Sequence, residues 1–211
     1  MIVPYPLQDA ALIEECMQKA SIGNYPPTGA IISTAFVPDA VYLSLGASNS
    51  LETHVHLEQC ITDNVKIFKR LSGGESVLLT PACVVYLQVQ ISDTLPKSAD
   101  FFADNLQLII SLLTRWGVNN VSRRGISDLA IGDKKILGSA IYRRPHLILF
   151  QAVLNVSESP DVIQRYLKHP PREPDYRKNR PHSEFVTSLL AEGYNLNPKQ
   201  LTEVGSGILL N

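Results

Sequence analysis

One stretch of this chain has an unambiguous period. From Ala99 to Trp116 the apolar residues Phe102, Leu106, Ile109, Leu113 and Trp116 step by four, three, four and three, the spacing that lines one face of an α-helix. Gly117 ends it. A long helix with a single apolar stripe must bury that stripe against another layer. The other apolar runs are short and rich in β-branched and aromatic residues, so the second layer is a sheet. The strand-like runs are Ala30 to Phe36, Ala40 to Leu45, Val65 to Lys69, Val84 to Ile91, Asp128 to Ile131, Lys135 to Tyr142 and Leu147 to Val156. Pro38-Asp39 joins the first two by a turn, and Gly132-Asp133 is a hairpin candidate.

Further helices are expected around this frame. Asn49, followed three residues later by Glu52, gives a capping-box-like start to a helix reaching about Asp63, with Val55 and Cys60 buried. Others run from Asp9 to about Lys19, ended by Gly23 and Pro26-Pro27, from Ser159 to about Leu167, and from Ser183 to Glu192. Between the last two lies HPPREPDYRKNRPH, whose four prolines and four Arg/Lys residues read as an extended, surface-hugging loop. No internal repeat or low-complexity linker interrupts the chain. The expectation is one α+β domain over residues 1–211, a mostly antiparallel or mixed sheet flanked by helices.

Composition limits the function classes. A hydrophobic content of 45% over 211 residues supports a substantial core, and 19 basic against 20 acidic residues leave a net charge of −1. A nucleic-acid partner normally demands a basic excess, so an anion site here is expected to be a pocket. Asp9, Glu14 and Glu15 stand where a leader peptide needs apolar or basic residues. The longest apolar runs, Leu108 to Leu113 and Leu147 to Phe150, fall far short of the roughly 20 residues of a membrane span. Cys16, Cys60 and Cys83 are an odd number without Cys-x-x-Cys spacing, which argues against a disulfide framework and a zinc knuckle. These features give the expectation of a soluble cytoplasmic protein with no nucleic-acid or membrane partner.

Two segments can carry chemistry. Gly73-Gly74, shortly after Lys69-Arg70, lets backbone approach an anion while a guanidinium supplies charge; a tight turn between strands is the plainer alternative. GDKKILGSA, residues 132–140, sets two lysines at the start of an apolar strand that narrows to Gly138-Ser139-Ala140. Lys134 and Lys135 must point to opposite faces, so one faces a cleft and the other solvent, unless both simply flank the turn. Of the five histidines, His54, His56, His146, His169 and His182, no pair has the i, i+4 spacing of a zinc site. His54 and His56 read as surface residues, and Cys60 as packing.

Three ordered motifs resemble the lipoate-protein ligase A family of the biotin/lipoate ligase superfamily, over about Val41 to Leu189. VYLSLGASNSLETHVHLEQCITDNVKIFKRLSGGESV is similar to the family's strand, glycine, acidic helix, second strand and Arg-Arg-x-Ser-Gly-Gly-Gly loop. SDLAIGDKKILGSAIYRR resembles its Asp-Leu, Gly-Asp-Arg-Lys and Ile-Ser-Gly-Ser-Ala segment, and YLKHPPREPDYRKNRPHSEFVTSL a stretch of one bacterial branch. The resemblance implies a two-step reaction: lipoate and ATP, with Mg²⁺, form lipoyl-adenylate, and the lipoyl group passes to a lysine of a lipoyl carrier domain or a glycine-cleavage H-like protein. It implies Lys135 as the catalytic ammonium. Arg70, Ser72, Gly73 and Gly74 would line the acyl and phosphate side, Gly138, Ser139 and Ala140 the adenylate side, and Asp128 would meet the nucleotide or its metal.

The match has departures. Glu75 replaces the loop's third glycine, Leu137 a common serine, and Phe150-Gln151-Ala152 an expected His-Gly-Thr, while Leu78-Leu79-Thr80 follow the loop where the family has His or small residues. The nineteen residues after Glu192 are too few for the family's accessory domain, so a partner polypeptide would supply it or the enzyme would close without one. Two other functions stay open: an octanoyltransferase of the same superfamily, with a nucleophilic Cys or Lys and no ATP, and a non-catalytic binder of lipoyl carriers that has lost adenylation.

Overall fold

The computed structural model describes residues 30–202; the expected helix from Asp9 to Lys19 and Cys16 lie outside them. The expected α+β arrangement of mostly antiparallel strands flanked by helices is present, with the strands divided between two sheets. The larger has six strands in the order β1-β5-β9-β8-β7-β6: β1 Ala30–Phe36, β5 Cys83–Ile91, β9 Leu147–Asn155, β8 Lys134–Arg144, β7 Asp128–Ile131 and β6 Val121–Arg124. Every neighbour in it is antiparallel. The smaller places β2 (Tyr42–Leu45) between β3 (Lys66–Lys69), parallel to it, and β4 (Val77–Leu79), antiparallel.

These sheets stack with the helices as layers. On one face of the large sheet lies α3 (Ser98–Arg115), with Leu106, Ile109 and Leu113 against Tyr86, Ile148 and Phe150. Leu113 is wholly buried, so Leu113→Ala would cost about 3 kcal/mol in transfer and cavity energy. The other face meets the small sheet, where Val85, Leu87 and Leu149 join Phe68 and Leu79. Beyond the small sheet, Leu43 and Ile67 pack with Cys60, Tyr166 and Leu167. β5 is buried on both faces along most of its length, which is why Cys83 to Leu87 form a continuous apolar run before Gln88 and Gln90 interrupt it.

Four expectations are corrected. Pro38-Asp39 does not make a hairpin, because β1 pairs with β5 and β2 belongs to the other sheet. The single helix from Asn49 is two short ones, α1 (Leu51–His54) and α2 (Leu57–Thr62), since Val55 breaks out to bridge Leu167. Ser50 takes the cap position, and the Asn49 side chain instead accepts from the Gly46 N–H at 2.9 Å and the Ser76 hydroxyl at 2.9 Å. The helix expected to reach Glu192 is only α5 (His182–Phe185): Val186 leaves it to bridge Lys135, and the Thr187 N–H donates to the Lys135 carbonyl at 2.9 Å. Finally, His54 is buried rather than on the surface. The helix capped by Ser159 does form, as α4 (Pro160–Tyr166). No helix among the described residues is long and apolar enough to cross a membrane.

Candidate active site

Between the sheets lies a cleft of about 1450 Å³, lined by apolar residues including Phe68, Leu79, Val85 and Val153, with charged and small residues at one end. One wall of that end is the β7–β8 hairpin. Opposite Leu129 and Ala130 the register jumps from Leu137 to Lys135, leaving Ile136 as an extra residue. The bulge turns Ile136 and Leu137, neighbours in sequence, into the same core against α3. It also turns Lys135 and Gly138 together toward the cleft, which an unbroken strand with its period of two would not do. The Lys135 ammonium lies where a side chain of residue 138 would begin: a Cβ there would stand 2.7 Å from Nζ and 2.8 Å from Cε. Glycine at 138 is therefore a steric requirement of the lysine's position.

Asp128 anchors that lysine. Its Oδ1 is 2.8 Å from Lys135 Nζ and accepts from the Ser127 hydroxyl at 3.3 Å, while its Oδ2 accepts from the Tyr176 hydroxyl at 2.8 Å. The carboxylate is almost sealed, and the Lys135 side chain stays 28% exposed. Lys134 points to solvent. Ser139 folds back on its own wall, its hydroxyl and N–H both donating to the Ser127 carbonyl, at 2.7 and 2.9 Å.

The loop from Arg70 to Ser76 makes the facing wall. Arg70 is 8% exposed, and its guanidinium donates to the Ser72 hydroxyl (3.0 Å) and to the carbonyls of Ser44 (3.1 Å), Gly73 (2.7 Å) and Glu75 (2.8 Å). Arg70 thus holds the loop's own backbone in shape. The Ser72 hydroxyl continues to Gln151 Oε1 at 2.5 Å, on the strand position paired with Ala140. Gly74, at φ +84°, carries the turn over β8, and its carbonyl comes so near Gly46 that a Cβ there would stand 2.0 Å from it. The two glycines permit the loop to lie against the end of β2.

The expected site residues therefore divide. Arg70, Gly74, Asp128, Lys135, Gly138, Ser139 and Ala140 line one cleft, whereas Ser72 and Gly73 are not part of its lining. Three residues not singled out from the sequence join them, His54, Arg177 and His182, and a fourth, Tyr176, reaches the site through its bond to Asp128. His54 Nε2 lies 3.2 Å from Glu75 Oε2. The segment read as surface-hugging sends Arg177 inward until it is 4% exposed, with its Nη2 lacking a hydrogen-bond partner. Burial lowers the Arg177 pKa, opposed by the charges of Glu173 and Glu75. Burial also pulls His182 down to about 4, so its imidazole is neutral. Cys83, at the cleft's apolar side, is pushed up to about 11 by burial, and burial raises Cys60 too; neither thiol is poised as a nucleophile.

A resident metal does not fit this set of side chains. Among the described residues no three His, Cys, Asp or Glu side chains come together as ligands, and both Asp128 oxygens already accept from protein donors.

Comparison with known proteins identifies the architecture. Residues 6–204 match the family model described as lipoyl protein ligase A/B catalytic domain. A protein of Aeropyrum pernix, provisionally named lipoate-protein ligase A, is 25% identical over 153 residues, 71% of this chain and 55% of that relative. The chain thus spans little more than half the length of that curated relative. The bi-partite lipoate protein ligase of Thermoplasma acidophilum, studied with its E2 lipoyl domain, superposes with a TM-score of 0.72 at 16% identity, covering 97% of this chain and 80% of that one. A lipoate-protein ligase A bound with ATP gives 0.70 at 16% identity, covering 95% and 79%. At such identities the superpositions establish the fold. The family follows from the model match across nearly the whole sequence: the chain belongs to the lipoyl protein ligase A/B catalytic domain family.

Proposed function

We propose that this protein is an ATP-dependent lipoate-protein ligase that forms lipoyl-adenylate and passes the lipoyl group to a lysine of a lipoyl carrier domain. The observation that carries the reading is Lys135: a part-exposed ammonium in a cleft, held by one buried carboxylate and facing a glycine loop. In the first step a lipoate carboxylate oxygen attacks the α-phosphorus of ATP and pyrophosphate leaves. Two anions meet there, and a fixed ammonium relieves their repulsion and stabilises charge developing at phosphorus. Mg²⁺ arrives with the nucleotide, as part of the substrate. In the second step the carrier lysine's amine attacks the acyl carbonyl, AMP leaves, and the amine's proton goes to solvent.

The apolar part of the cleft suits the acyl chain, and the ATP held by one structural neighbour and the lipoic acid held by another, a Thermoplasma acidophilum protein, agree with this substrate pair. The two raised thiols argue against a covalent acyl-cysteine route through Cys60 or Cys83. Mass spectrometry of a carrier domain incubated with the purified chain, lipoate, ATP and Mg²⁺ tests the proposal: a lipoylated lysine is expected. Adenylate formation without transfer would assign completion of the second step to a separate accessory polypeptide. Neither product, with no heat of binding for ATP plus lipoate, would leave a non-catalytic homologue.

A further inference from the structure

The adenylation reading uses Lys135 and leaves the motif HPPREPDYRKNRPH without a task. Yet this segment is built with care around one side chain. Arg180 donates to Asp133 Oδ2 (2.9 Å), to the Asp133 carbonyl (2.9 Å) and to the Tyr176 carbonyl (3.0 Å). Those bonds clamp the segment to the turn of the hairpin that carries Asp128 and Lys135. Arg177 Nε donates to the Arg180 carbonyl at 2.9 Å, and Glu173 Oε1 accepts from the Asn179 N–H at 2.7 Å. The bend these contacts close runs through Lys178 and Asn179, both at positive φ. The Tyr176 ring rests on Phe185, centroids 5.1 Å apart, and its hydroxyl ends on Asp128 Oδ2.

We infer that Tyr176 is a positioning residue for Lys135, acting through Asp128. The inference rests on the adenylation reading for its kinetic consequence and on geometry for its structural one. A buried carboxylate whose only strong donor is an ammonium can swing both oxygens toward it. With Oδ2 fixed by the phenol, Lys135 meets Oδ1 alone, and its remaining N–H protons stay directed at the cleft above Gly138. Burial and the neighbouring Asp128 charge raise the Tyr176 pKa, so the phenol remains a donor at any working pH. The plainer alternative is that Tyr176 is a packing residue whose hydroxyl merely finds a partner. The two differ in what the oxygen atom alone is worth.

Tyr176→Phe removes that atom and keeps the ring. The expected result is an ATP–pyrophosphate exchange rate at saturating lipoate and ATP that falls about tenfold, as misplacement of a catalytic group does. Both KM values should stay within about twofold of wild type, because ground-state binding is not touched. Replacing Tyr176 by 4-aminophenylalanine, which keeps ring and donor, should restore most of the rate. A second readout needs no activity: NMR relaxation at the labelled Cε of Lys135, identified by its absence in Lys135→Arg, should show a more mobile side chain in Tyr176→Phe. Wild-type exchange in Tyr176→Phe, or an unchanged Lys135 relaxation, overturns the inference. A parallel loss of rate, KM and melting temperature, without rescue by the amino analogue, reduces Tyr176 to packing. Absence of exchange in the wild type would sink the adenylation reading instead, and the relaxation measurement would still decide Tyr176.

Discussion

The two charged walls of the cleft use their cations in opposite ways. Arg70 is buried and gives its donors to one hydroxyl and three carbonyls of its own surroundings. Lys135 is more exposed and meets a single carboxylate, over a glycine that keeps its head clear. A buried guanidinium engaged in several directions shapes backbone. An ammonium with one partner and open space retains charge to offer a ligand. On the adenylation proposal the chemistry belongs to the hairpin wall, and the glycine loop is a form held in place for it.

The widest gap between the walls should appear on removing the two cations. Lys135→Ala is expected to slow adenylate formation about a thousandfold, the scale of losing one preorganised electrostatic group, and to lower the melting temperature by a few degrees, because the sealed Asp128 carboxylate loses its cation; Lys134→Ala should do neither. Equal losses in both lysine variants, measured by pyrophosphate exchange, would break the distinction. Arg70→Met should act on the fold, leaving several carbonyls undonated at a cost of about 3 kcal/mol, or about 10 °C for a chain of this size. A variant that melts normally but no longer binds ATP or lipoate would move Arg70 to the working side.

Two smaller effects sharpen the comparison. His182, which lines the same cleft as Lys135, has a folded pKa of about 4 against an ordinary 6.5. The unfolded chain therefore takes up the proton first, and stability present above pH 6.5 is lost as pH falls toward 4. Between pH 7 and 5 this amounts to about 2 kcal/mol. Denaturant titrations of His182→Gln should show that much less acid sensitivity, and an unchanged slope would mean that His182 is not the group responsible. On the loop wall, Glu75→Gly should keep lipoate affinity or raise it several-fold. The gain should be largest at low ionic strength, where a like charge beside an anion site is least screened. Calorimetry showing a large loss would make Glu75 and its His54 contact a working part of the site.

What could be read from the sequence follows from how local each signal was. The long helix, the strands β5, β8 and β9 and the Gly132-Asp133 turn declare themselves through period and punctuation within a few residues. β4 has three residues and β6 is mostly exposed and charged, so neither carries a pattern to find. The separation of β1 from β2 into different sheets is decided by β5, some fifty residues on. Lys135 and its glycine were legible as a motif, but the bulge that aims them together was hidden inside an apolar strand. His54, Tyr176, Arg177 and His182 had no local signal. His54 meets Glu75, Tyr176 meets Asp128 and His182 meets the Lys168 carbonyl, while Arg177 is turned inward by Glu173 and Arg180 of its own Pro-rich segment; polar residues in Pro-rich or i, i+2 contexts read as surface until such partners are known.

The strand order also carries a consequence for how the site comes into being. β6, β7, β8 and β9 follow one another through short connections, so the hairpin wall closes from residues within 121–155. The glycine loop reaches that wall only when β5, whose residues 83–91 pair with 147–155, docks across more than fifty intervening positions. Loop-closure entropy makes the first assembly fast and the second slow. A chain growing from its N-terminus has the loop, β1 and β5 waiting with their edges open until β9 is made. The half of the cleft that offers charge can form by itself in the time of a meander, and the half that shapes it must wait for the whole large sheet.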